Sequence, residues 1–482
     1  MGEILVMKFG GTSMGSAERI RVAARISAEQ HAKRPVVIVV SAMSKVTDSL
    51  INSMRKAEAG DEAGLEANLN LLRTRHFDTC RDLLPAARHE AALAGIEDII
   101  SDFSRITHGM MMLGECPPRS IDEALAVGEQ LSALMMAEYL ETQGIRAKAV
   151  SGAEVIVTDA VFGNATPLMP QTRERVANVL KPMLDSRVLP VVTGFNASTA
   201  DHRPTTLGRG GSDFSASILA AAIDAAELWI WTDVDGIMTG DPRLVKDARV
   251  LDEVTYSEAA ELAYNGAKVL HPRTLAPLVE RQIPVWSKNS FDLDKPGTRI
   301  VPQINVARGP HAVTSMADVA LVSIEPANST LSGTKVMARA LDALARENVE
   351  VLAITSSSYR QNFCFLIRQS ELDRVMEYLE DSLSLELAHG YINPIHVDSN
   401  VGLIAVVGEG MRGTPGLAGR IFTAISKHQI NIIAIAQGSS ELTIAIVVHR
   451  DGLEQAVRAV HSECGLGEQP REQLVLPAQI SE

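Results

Sequence analysis

The sequence has few cysteines, no long apolar run and a deficit of positive charge, and each shortage excludes a class of protein. Its four cysteines lie far apart and form no Cys-x-x-Cys pair, so neither a zinc site nor a disulfide framework is expected. The aliphatic runs, such as Val36–Val40, are far shorter than the ~20 residues of a membrane helix. A net charge of −14 disfavours nucleic acid and anionic membranes as partners.

The N-terminus lacks the pattern of a leader sequence. A strand pattern begins almost at once, with no basic segment followed by an apolar stretch. We therefore expect a cytoplasmic protein. Its 482 residues are too many for one hydrophobic core and predict two to four domains.

The first 300 residues alternate between short apolar runs and helical patterns. The apolar runs occupy residues 4–9, 36–41, 189–195, 228–232 and 283–287, and helical patterns occupy, among others, residues 121–141 and 212–226. This alternation predicts an α/β domain over residues 1–300 with a mostly parallel sheet. A helical, charge-rich insertion is expected between Leu50 and Leu113. Residues 292–310 lack a periodic face and indicate a domain boundary.

A weak repeat follows this boundary. Residues 339–366 align with residues 420–447 at a constant offset of 81, and each copy reads strand, turn, helix, strand, strand. The repeat predicts two small α+β domains, which we place at residues 311–395 and 396–470. The seam between such sheets is a natural pocket for a small ligand, although both copies could instead serve only oligomerisation.

Lys8 lies in the run Lys-Phe-Gly-Gly-Thr-Ser at residues 8–13, directly after an apolar strand pattern. Paired glycines let the backbone approach an anion, and a helix that follows adds its positive end. The lysine precedes the glycines, so the run is not a Walker A loop. Taken alone, a glycine pair after a strand is more often an ordinary tight turn, and the other motifs of the chain favour the phosphate site.

The glycine-rich loop, residues 205–213, is the most specific segment of the chain. It runs into an alanine-rich helix and contains Arg209, whose planar guanidinium suits a carboxylate, and Asp213, which suits an ammonium group or Lys8. The alternative for Asp213 is capping of the helix next to Ser212. Glu129 supplies a second carboxylate, and the neighbouring Gly128 indicates a close approach. Two carboxylates and one arginine match the charges of an α-amino acid.

Further polar residues follow a later strand pattern. Thr232 and Asp233 come directly after it, and ligands of open α/β sheets lie at the carboxyl ends of strands. We expect a nucleotide there, although an Asx turn is an equal alternative. Lys268, in the run 266–272, either reaches phosphates or is solvated at a helix end.

These motifs, in this order, resemble those of the aspartate kinases of the amino acid kinase family. They are residues 8–13, 41–48, 128–129, 205–213, 232–243 and 266–272. The repeat is similar to the pair of ACT domains with which members sense a pathway end product. The resemblance implies the amino acid kinase fold, an α/β fold whose mostly parallel sheet is sandwiched by helices, followed by two α+β ACT domains of βαββαβ type.

The resemblance also implies a role for individual residues. Lys8 and Asp213 would be catalytic. L-Aspartate would be held by Thr47, Glu129, Arg209, Ser212 and Asp213. ATP would be bound by Lys8, Gly10, Gly11, Ser41, Thr232, Asp233, Asp241, Arg243 and Lys268. An effector would bind at Gln437 and Ser439, and no side chain is assigned to a metal.

The implied reaction is phosphorylation of the β-carboxylate of L-aspartate by Mg-ATP, the first step towards lysine, threonine and methionine. The ACT pair implies feedback by threonine or lysine, with threonine favoured by the second copy, and a homo-oligomer, either dimer or tetramer. The chain ends soon after the repeat, so no fused homoserine dehydrogenase is expected.

Two alternative functions stay open, and the sequence departs from the family pattern at two places. The alternatives are a non-catalytic amino-acid sensor of the same fold and a kinase for a related acid such as glutamate, since one methylene is worth only about 1–3 kcal/mol of discrimination. Met238 stands where many members carry tyrosine. Residues 356–360 of the first copy differ from residues 437–441 of the second, which puts an effector site in the first copy in doubt.

Overall fold

The computed structural model describes residues 3–267, 270–304, 309–327, 332–347, 349–358 and 362–467. The chain forms two compact units. The first unit contains residues up to 237, with residues 252–256 and 270–304. The second unit contains residues 238–251, residues 257–267 and the described residues from 309 onwards.

An eight-stranded sheet organises the first unit. In spatial order its strands are β3 (Ala147–Val150), β5 (Leu189–Thr193), β2 (Val36–Val40), β1 (Leu5–Phe9), β8 (Glu227–Thr232), β10 (Val285–Asn289), β11 (Thr298–Val301) and β9 (Glu253–Thr255). The strands from β3 to β10 are parallel, and only β10 and β11 pair antiparallel. Every residue of β1 and β2 is buried, as expected of valine-rich strands covered on both faces. The mostly parallel sheet predicted from the sequence is confirmed.

Helices cover this sheet. They are α1 (Ala17–His31), α2 (Val46–Glu58), α3 (Glu62–Leu83), α4 (Ala86–Leu113), α5 (Pro118–Leu125), α6 (Val127–Thr142), α7 (Gly152–Val155), α8 (Met169–Asp185), α9 (Gly211–Ala222) and α11 (Pro272–Val279). A small sheet contains β4 (Val157–Thr158), β6 (Asn196–Thr199) and β7 (Pro204–Thr206). Apolar residues of α1 to α6 share one core with β1 and β2, so the predicted helical insertion packs onto the sheet domain.

A six-stranded antiparallel sheet organises the second unit. In spatial order its strands are β13 (Ala353–Ser356), β14 (Phe363–Arg368), β12 (Ala312–Ile324), β15 (His396–Val407), β17 (Thr443–His449) and β16 (Ile432–Gln437). Its helices are α10 (Tyr256–Tyr264), whose first residue belongs to the first unit, α12 (Gly333–Arg346), α13 (Leu372–Ser382), α14 (Ser384–Ala388), α15 (Leu417–Ser426) and α16 (Leu453–Glu463). Three short 3-10 turns lie at Gln369–Glu371, Glu409–Met411 and Arg450–Gly452.

The sequence repeat is visible in this sheet. Helix, two antiparallel strands and helix follow one another as α12, β13, β14 and α13, and again as α15, β16, β17 and α16. The long strand β12 pairs with β14 and with β15, so it joins the two copies into one sheet. This is the α+β pattern that the sequence predicts after the α/β domain.

Two short segments that precede the predicted boundary belong to the second unit. Residues 238–251 and 257–267 pack there, although the sequence places them in a domain of residues 1–300. The division at 1–300, 311–395 and 396–470 stays a prediction. Within the described residues, no helix is long and apolar enough to cross a membrane.

Candidate active site

The candidate site begins where the central strands of the first unit end. Chain order runs from β1 to β2 on one side and later to β8 on the other, and ligands of open α/β sheets bind at the carboxyl ends of strands at such a point. Gly10 N–H donates to the Trp231 carbonyl oxygen at 3.1 Å, and Ser41 N–H donates to the Phe9 carbonyl oxygen at 3.1 Å. The two turns that follow β1 and β2 are thus held at one edge of the sheet.

Gly11 is required by a close approach of these two turns. A Cβ atom at Gly11 would lie 2.9 Å from the Ala42 carbonyl oxygen, which real side chains do not tolerate. The Gly11 carbonyl oxygen also accepts a hydrogen bond of 3.1 Å from Ser44 N–H. Sequence reasoning assigned the glycine pair to anion binding, and the structure adds that Gly11 permits this contact.

The Lys8 ammonium group forms an ion pair with Asp213. Lys8 Nζ lies 2.6 Å from Asp213 Oδ1, and Lys8 is only 8% exposed. Asp213 lies in the first turn of α9, after Gly208 and Gly210, whose positive φ angles of 74° and 71° favour glycine. Gly210 is the N-cap and α9 has no side-chain cap, so helix capping does not explain Asp213.

Glu129 lies buried beside this pair. Burial raises the pKa of Glu129 to about 8, against the opposing effects of hydrogen bonds from Ala42 N–H and the Ser212 hydroxyl and of the Lys8 charge. Its Oε2 atom has no hydrogen-bond partner in the part of the chain that the structure describes. The close approach expected at Gly128 is to the turn after β2, because a Cβ there would lie 2.7 Å from Ala42 Cβ.

The remaining residues assigned to aspartate lie around this centre. Ser212 contacts the Glu129 carboxylate, and Thr47 is half-buried in the first turn of α2. Arg209 is exposed, and no carboxylate of the described residues lies within 4.0 Å of its guanidinium group. An anionic ligand could therefore bind this guanidinium group without displacing a carboxylate of the described residues.

The residues assigned to the nucleotide fall into both units. Thr232 ends β8, and its hydroxyl donates to Asp233 Oδ1 at 3.3 Å. Asp241 and Arg243 lie in the second unit, where Arg243 Nη2 is 2.5 Å from Asp241 Oδ2. Lys268 lies outside the described residues. A shared nucleotide site therefore stays a prediction.

The residues assigned to the effector are exposed. Gln437 is the last residue of β16, and Ser439 lies in the turn that follows. Glu441 ends this turn and accepts a hydrogen bond of 2.7 Å from Gly413 N–H. The turn therefore has a fixed contact within the second unit, and its effector role stays a prediction.

Sequence reasoning missed two features of the site. Ser290, directly after β10, has its Oγ atom 2.8 Å from Ser13 Oγ and donates its N–H to the Thr232 carbonyl oxygen at 2.9 Å. The position of Ser290 shortly after a strand pattern was the signal in the sequence that could have indicated it. Asp122 is fully buried and accepts three hydrogen bonds, two of them from Thr206 of the glycine-rich loop. An aspartate in a helical pattern gives no signal of this in the sequence.

Comparison with known proteins agrees with the motifs. The model of the amino acid kinase family matches residues 3–289, and an ACT domain model matches residues 331–383 and 404–464. Bifunctional aspartokinase/homoserine dehydrogenase 1 of Arabidopsis thaliana is 36% identical over 465 residues, which cover 95% of this chain and 50% of that protein. The chain thus spans about half the length of the bifunctional relatives that it matches. Aspartokinase 3 of the same plant is 31% identical, with 95% and 81% covered.

Two solved structures are similar over nearly the whole chain. Aspartokinase III of E. coli in complex with aspartate and ADP has a TM-score of 0.81 and 29% identity, and the match covers 96% of this chain and 99% of that one. The same enzyme in complex with lysine and aspartate has a TM-score of 0.79 and 30% identity, with 96% and 100% covered.

Proposed function

We propose that this chain, which belongs to the amino acid kinase family, transfers the γ-phosphoryl group of Mg-ATP to the β-carboxylate of L-aspartate. One observation carries the proposal. The Lys8–Asp213 ion pair lies beside the buried Glu129 at the carboxyl end of β1, so cationic and anionic groups suited to the two substrates occur together. The likeness to an aspartokinase that binds aspartate and ADP supports the choice of substrates.

The chemistry needs no general base. A carboxylate with an ordinary pKa near 4 is ionised at pH 7, so one of its oxygens attacks the γ-phosphorus directly. The bond from that phosphorus to the β,γ-bridging oxygen breaks, and the products are 4-phosphoaspartate and ADP. The obstacle is repulsion between two anions. Lys8 supplies a positive charge that offsets this repulsion and stabilises the negative charge on the phosphoryl group during its transfer.

Asp213 has two roles in this proposal. It orients the Lys8 ammonium group through the 2.6 Å contact, and its remaining oxygen is available to the substrate ammonium. Glu129 offers an unpartnered Oε2 atom for the same ammonium group. Arg209 would pair with a substrate carboxylate, while Thr47 and Ser212 would donate hydroxyl hydrogen bonds.

Binding of Mg-ATP is assigned to the turns at the strand ends. Gly11 offers a backbone N–H group and Ser41 a hydroxyl to phosphates, in addition to the Lys8 charge. Gly10, whose N–H already donates to Trp231, would let the phosphates approach the backbone closely. The other assigned residues are Thr232, Asp233, Asp241, Arg243 and Lys268. Mg²⁺ would enter with the nucleotide phosphates, as is usual for this ion.

Regulation and location are the finer parts of the proposal. The ACT match and the lysine bound to the E. coli relative support feedback by an amino acid, threonine or lysine, at the turn that contains Gln437 and Ser439. A homo-oligomer, dimer or tetramer, and a cytoplasmic location stay predictions from the sequence.

The test is formation of aspartyl hydroxamate from Mg-ATP, L-aspartate and hydroxylamine, with and without threonine or lysine. L-Glutamate in place of L-aspartate tests the related-acid alternative. Lys8→Ala should lower kcat by about 10²-fold or more, while the KM for aspartate changes much less. Lys33→Ala, at an exposed position, is the matched control. Amino-acid binding without hydroxamate from the unsubstituted chain would favour the non-catalytic sensor instead.

A further inference from the structure

Asp122 is a buried carboxylate to which no role has been assigned. It lies in α5, is 1% exposed, and both its oxygens accept hydrogen bonds. Oδ2 accepts from Gly163 N–H at 2.9 Å and from Thr206 N–H at 3.0 Å, and Oδ1 accepts from the Thr206 hydroxyl at 2.7 Å. One side chain thus joins three segments of the first unit.

The charge balance around Asp122 is unusual for a buried carboxylate. Burial raises its pKa, although the three hydrogen bonds act in the opposite direction. Within the described ranges, no lysine, arginine or histidine nitrogen lies within 4.0 Å of its oxygens. Burial of a carboxylate without a cation costs free energy. The compensating hydrogen bonds all come from the segments that it joins.

The segments that Asp122 joins form the base of the glycine-rich loop. Thr206 ends β7, and the loop then passes Gly208 before it reaches Arg209. Gly163 precedes Asn164, whose Oδ1 would lie 2.6 Å from a Cβ atom at Gly208. Ala165 N–H donates to the Thr206 carbonyl oxygen at 2.9 Å. The start of the loop is therefore packed between residues 163–165 and α5.

Helix α6, which follows α5, lies beside the other end of the glycine-rich loop. Helix α6 begins at Val127, only two residues after α5 ends, and contains Glu129. Ser212, near the end of the loop, lies close enough to the Glu129 carboxylate to oppose the rise of its pKa. Asp122 and Glu129 are seven residues apart, about two helical turns. Asp122 thus binds the loop before Arg209, and Glu129 lies beside the loop after Arg209.

We propose that Asp122 is a positioning residue that holds the glycine-rich loop through Thr206 and thereby places Arg209 and Asp213 for aspartate. The inference rests on the proposed function, because it assigns this loop to aspartate. Asp122 itself touches no reacting atom. Its effect is on the substrate geometry, where a displacement of about 1 Å can cost on the order of 10²-fold in rate.

The test is steady-state kinetics of Asp122→Asn in the full chain, with aspartate and Mg-ATP varied separately. The substitution keeps the shape of the side chain but replaces one acceptor oxygen by an NH2 group, which cannot accept from its N–H or hydroxyl partner. We expect the KM for aspartate to rise about tenfold or more and the KM for Mg-ATP to change less than about twofold. Glu123→Gln removes a charge from the exposed neighbouring position of α5 and should change neither value by more than about twofold.

A double-mutant cycle with Thr206→Val tests the route. This second substitution removes the hydroxyl donor but keeps the backbone N–H, so alone it should raise the KM for aspartate about threefold to fivefold. If Asp122 acts through Thr206, the double variant should resemble Asp122→Asn alone rather than show the product of the two effects. Effects that multiply would overturn the inference.

The remaining outcomes separate this inference from the proposed function. Hydroxamate from the unsubstituted chain, with an unchanged aspartate KM or an equal rise of both KM values in Asp122→Asn, would overturn the inference alone. No hydroxamate from the unsubstituted chain would overturn the proposed function and the inference with it. If Asp122→Asn does not fold, Thr206→Val decides alone, and an unchanged aspartate KM in that folded variant would overturn the inference.

Discussion

At the scale of single residues, the role proposed for Glu129 would link aspartate binding to pH. Its pKa of about 8 in the ligand-free site means that the group is largely protonated at pH 7, whereas pairing with an ammonium group requires the ionised form. Binding should therefore release a proton. If binding requires the ionised form, the KM for aspartate should rise about eightfold as pH falls from 8.5 to 7.

Kinetics across that pH range measure this prediction, and calorimetry in buffers of different ionisation enthalpy measures the released proton. Glu129→Gln should raise the KM for aspartate at pH 8.5 and abolish most of its pH dependence. Asp233→Asn is the control, because this exposed carboxylate is assigned to the nucleotide instead. An aspartate KM that stays flat in the unsubstituted chain would contradict the role of Glu129.

The raised pKa of Glu129 also predicts that its ionised form lowers the stability of the folded protein at high pH. A carboxyl group whose folded-state pKa is raised contributes its stability below the unfolded value, near 4.5, and loses it as pH rises through about 8. Glu129→Gln should therefore raise Tm at pH 8 and change it little at pH 4. Thermal unfolding at the two pH values measures this difference. A lower Tm at pH 8 would mean that the carboxylate has a stabilising partner in the free protein.

His76 predicts a different pH dependence. It is fully buried in α3, burial lowers its pKa to about 4, and its Nε2 atom has no hydrogen-bond partner among the described residues. The unfolded chain binds a proton below pH 6.5, so stability is lost as pH falls from 6.5 towards 4. From pH 7 to pH 5 this loss is about 2 kcal/mol.

His76→Phe should remove that part of the acid sensitivity, because it replaces the titrating ring by an apolar one of similar size. Denaturant unfolding at pH 7 and pH 5 measures it. His202→Asn, at an exposed position with a positive φ that asparagine tolerates, should leave the pH dependence unchanged. Equal acid sensitivity of His76→Phe and the unsubstituted chain would refute the assignment.

At the scale of elements, the strands and their order were predictable where burial made the pattern continuous. Residues 4–9 and 36–41 were predicted as strands and form β1 and β2, because both are largely apolar and buried on both faces. The helix predicted at residues 121–141 instead consists of α5 and α6, joined at Ala126. Periodicity does not show such a break, because Ala126 keeps right-handed helical backbone angles, φ −63° and ψ −22°.

The candidate site was predictable for a related reason. Lys8 precedes a glycine pair near the end of a strand, and Ser212 and Asp213 follow glycines, which gives a signal in the sequence. The structure brings these residues together with Glu129. The three hydrogen bonds of Asp122 gave no such signal, because they depend on tertiary contacts with residues 163 and 206.

Gly128 shows how an element is fitted to its neighbour. Alanine is a better helix former than glycine by about 1 kcal/mol, so propensity alone favours Gly128→Ala. A Cβ atom there would lie 2.7 Å from Ala42 Cβ and 3.3 Å from Val46 Cγ1, both in the segment after β2. The clash should displace α6 and Glu129, with a lower Tm and a higher KM for aspartate.

Gly109→Ala is the matched control, because Gly109 lies inside α4 and a Cβ atom there would have no neighbouring atom of the described residues within 4 Å. This substitution should raise stability by up to about 1 kcal/mol, as propensity predicts, without a change in KM. Thermal unfolding and aspartate kinetics of the two variants measure the contrast. A stabilised Gly128→Ala variant with normal kinetics would contradict this prediction, because the segment after β2 would then accommodate the added Cβ atom without loss of stability.

At the scale of the whole molecule, segments of the kinase match are built into the second unit. The family match covers residues 3–289, yet residues 238–251 and 257–267 pack with residues of the ACT match. The Thr239 hydroxyl lies 3.1 Å from Nε2 of the buried His461. Glu258, which is fully buried, accepts from Glu409 N–H at 2.8 Å. The first segment contains Asp241 and Arg243, and Lys268 follows the second.

The turn assigned to the effector, residues 437–441, lies next to one of these contacts. Thr443 begins β17 directly after that turn and donates its hydroxyl to Glu261 Oε2 of α10 at 2.9 Å. A ligand at Gln437 and Ser439 would therefore act close to a hydrogen bond that reaches the segment directly before Lys268. Inhibition through this contact should weaken Mg-ATP binding and raise its KM. Linkage requires that Mg-ATP weaken effector binding by the factor by which the effector weakens Mg-ATP binding.

Thr443→Val should reduce that coupling, because it removes the hydroxyl donor and keeps the size of the side chain. We expect the effector-induced change in the KM for Mg-ATP to shrink several-fold, with basal kcat within about twofold, since a coupling of 1–3 kcal/mol corresponds to about 5–150-fold. Inhibition curves at several Mg-ATP concentrations, with threonine and with lysine, measure it. Thr423→Val, at an exposed position of α15, is the control because its hydroxyl bonds only to its own helix at the Gly419 carbonyl oxygen. If Thr443→Val and Thr423→Val respond alike, the effector acts on the nucleotide by another route, and the contact between β17 and α10 serves stability alone.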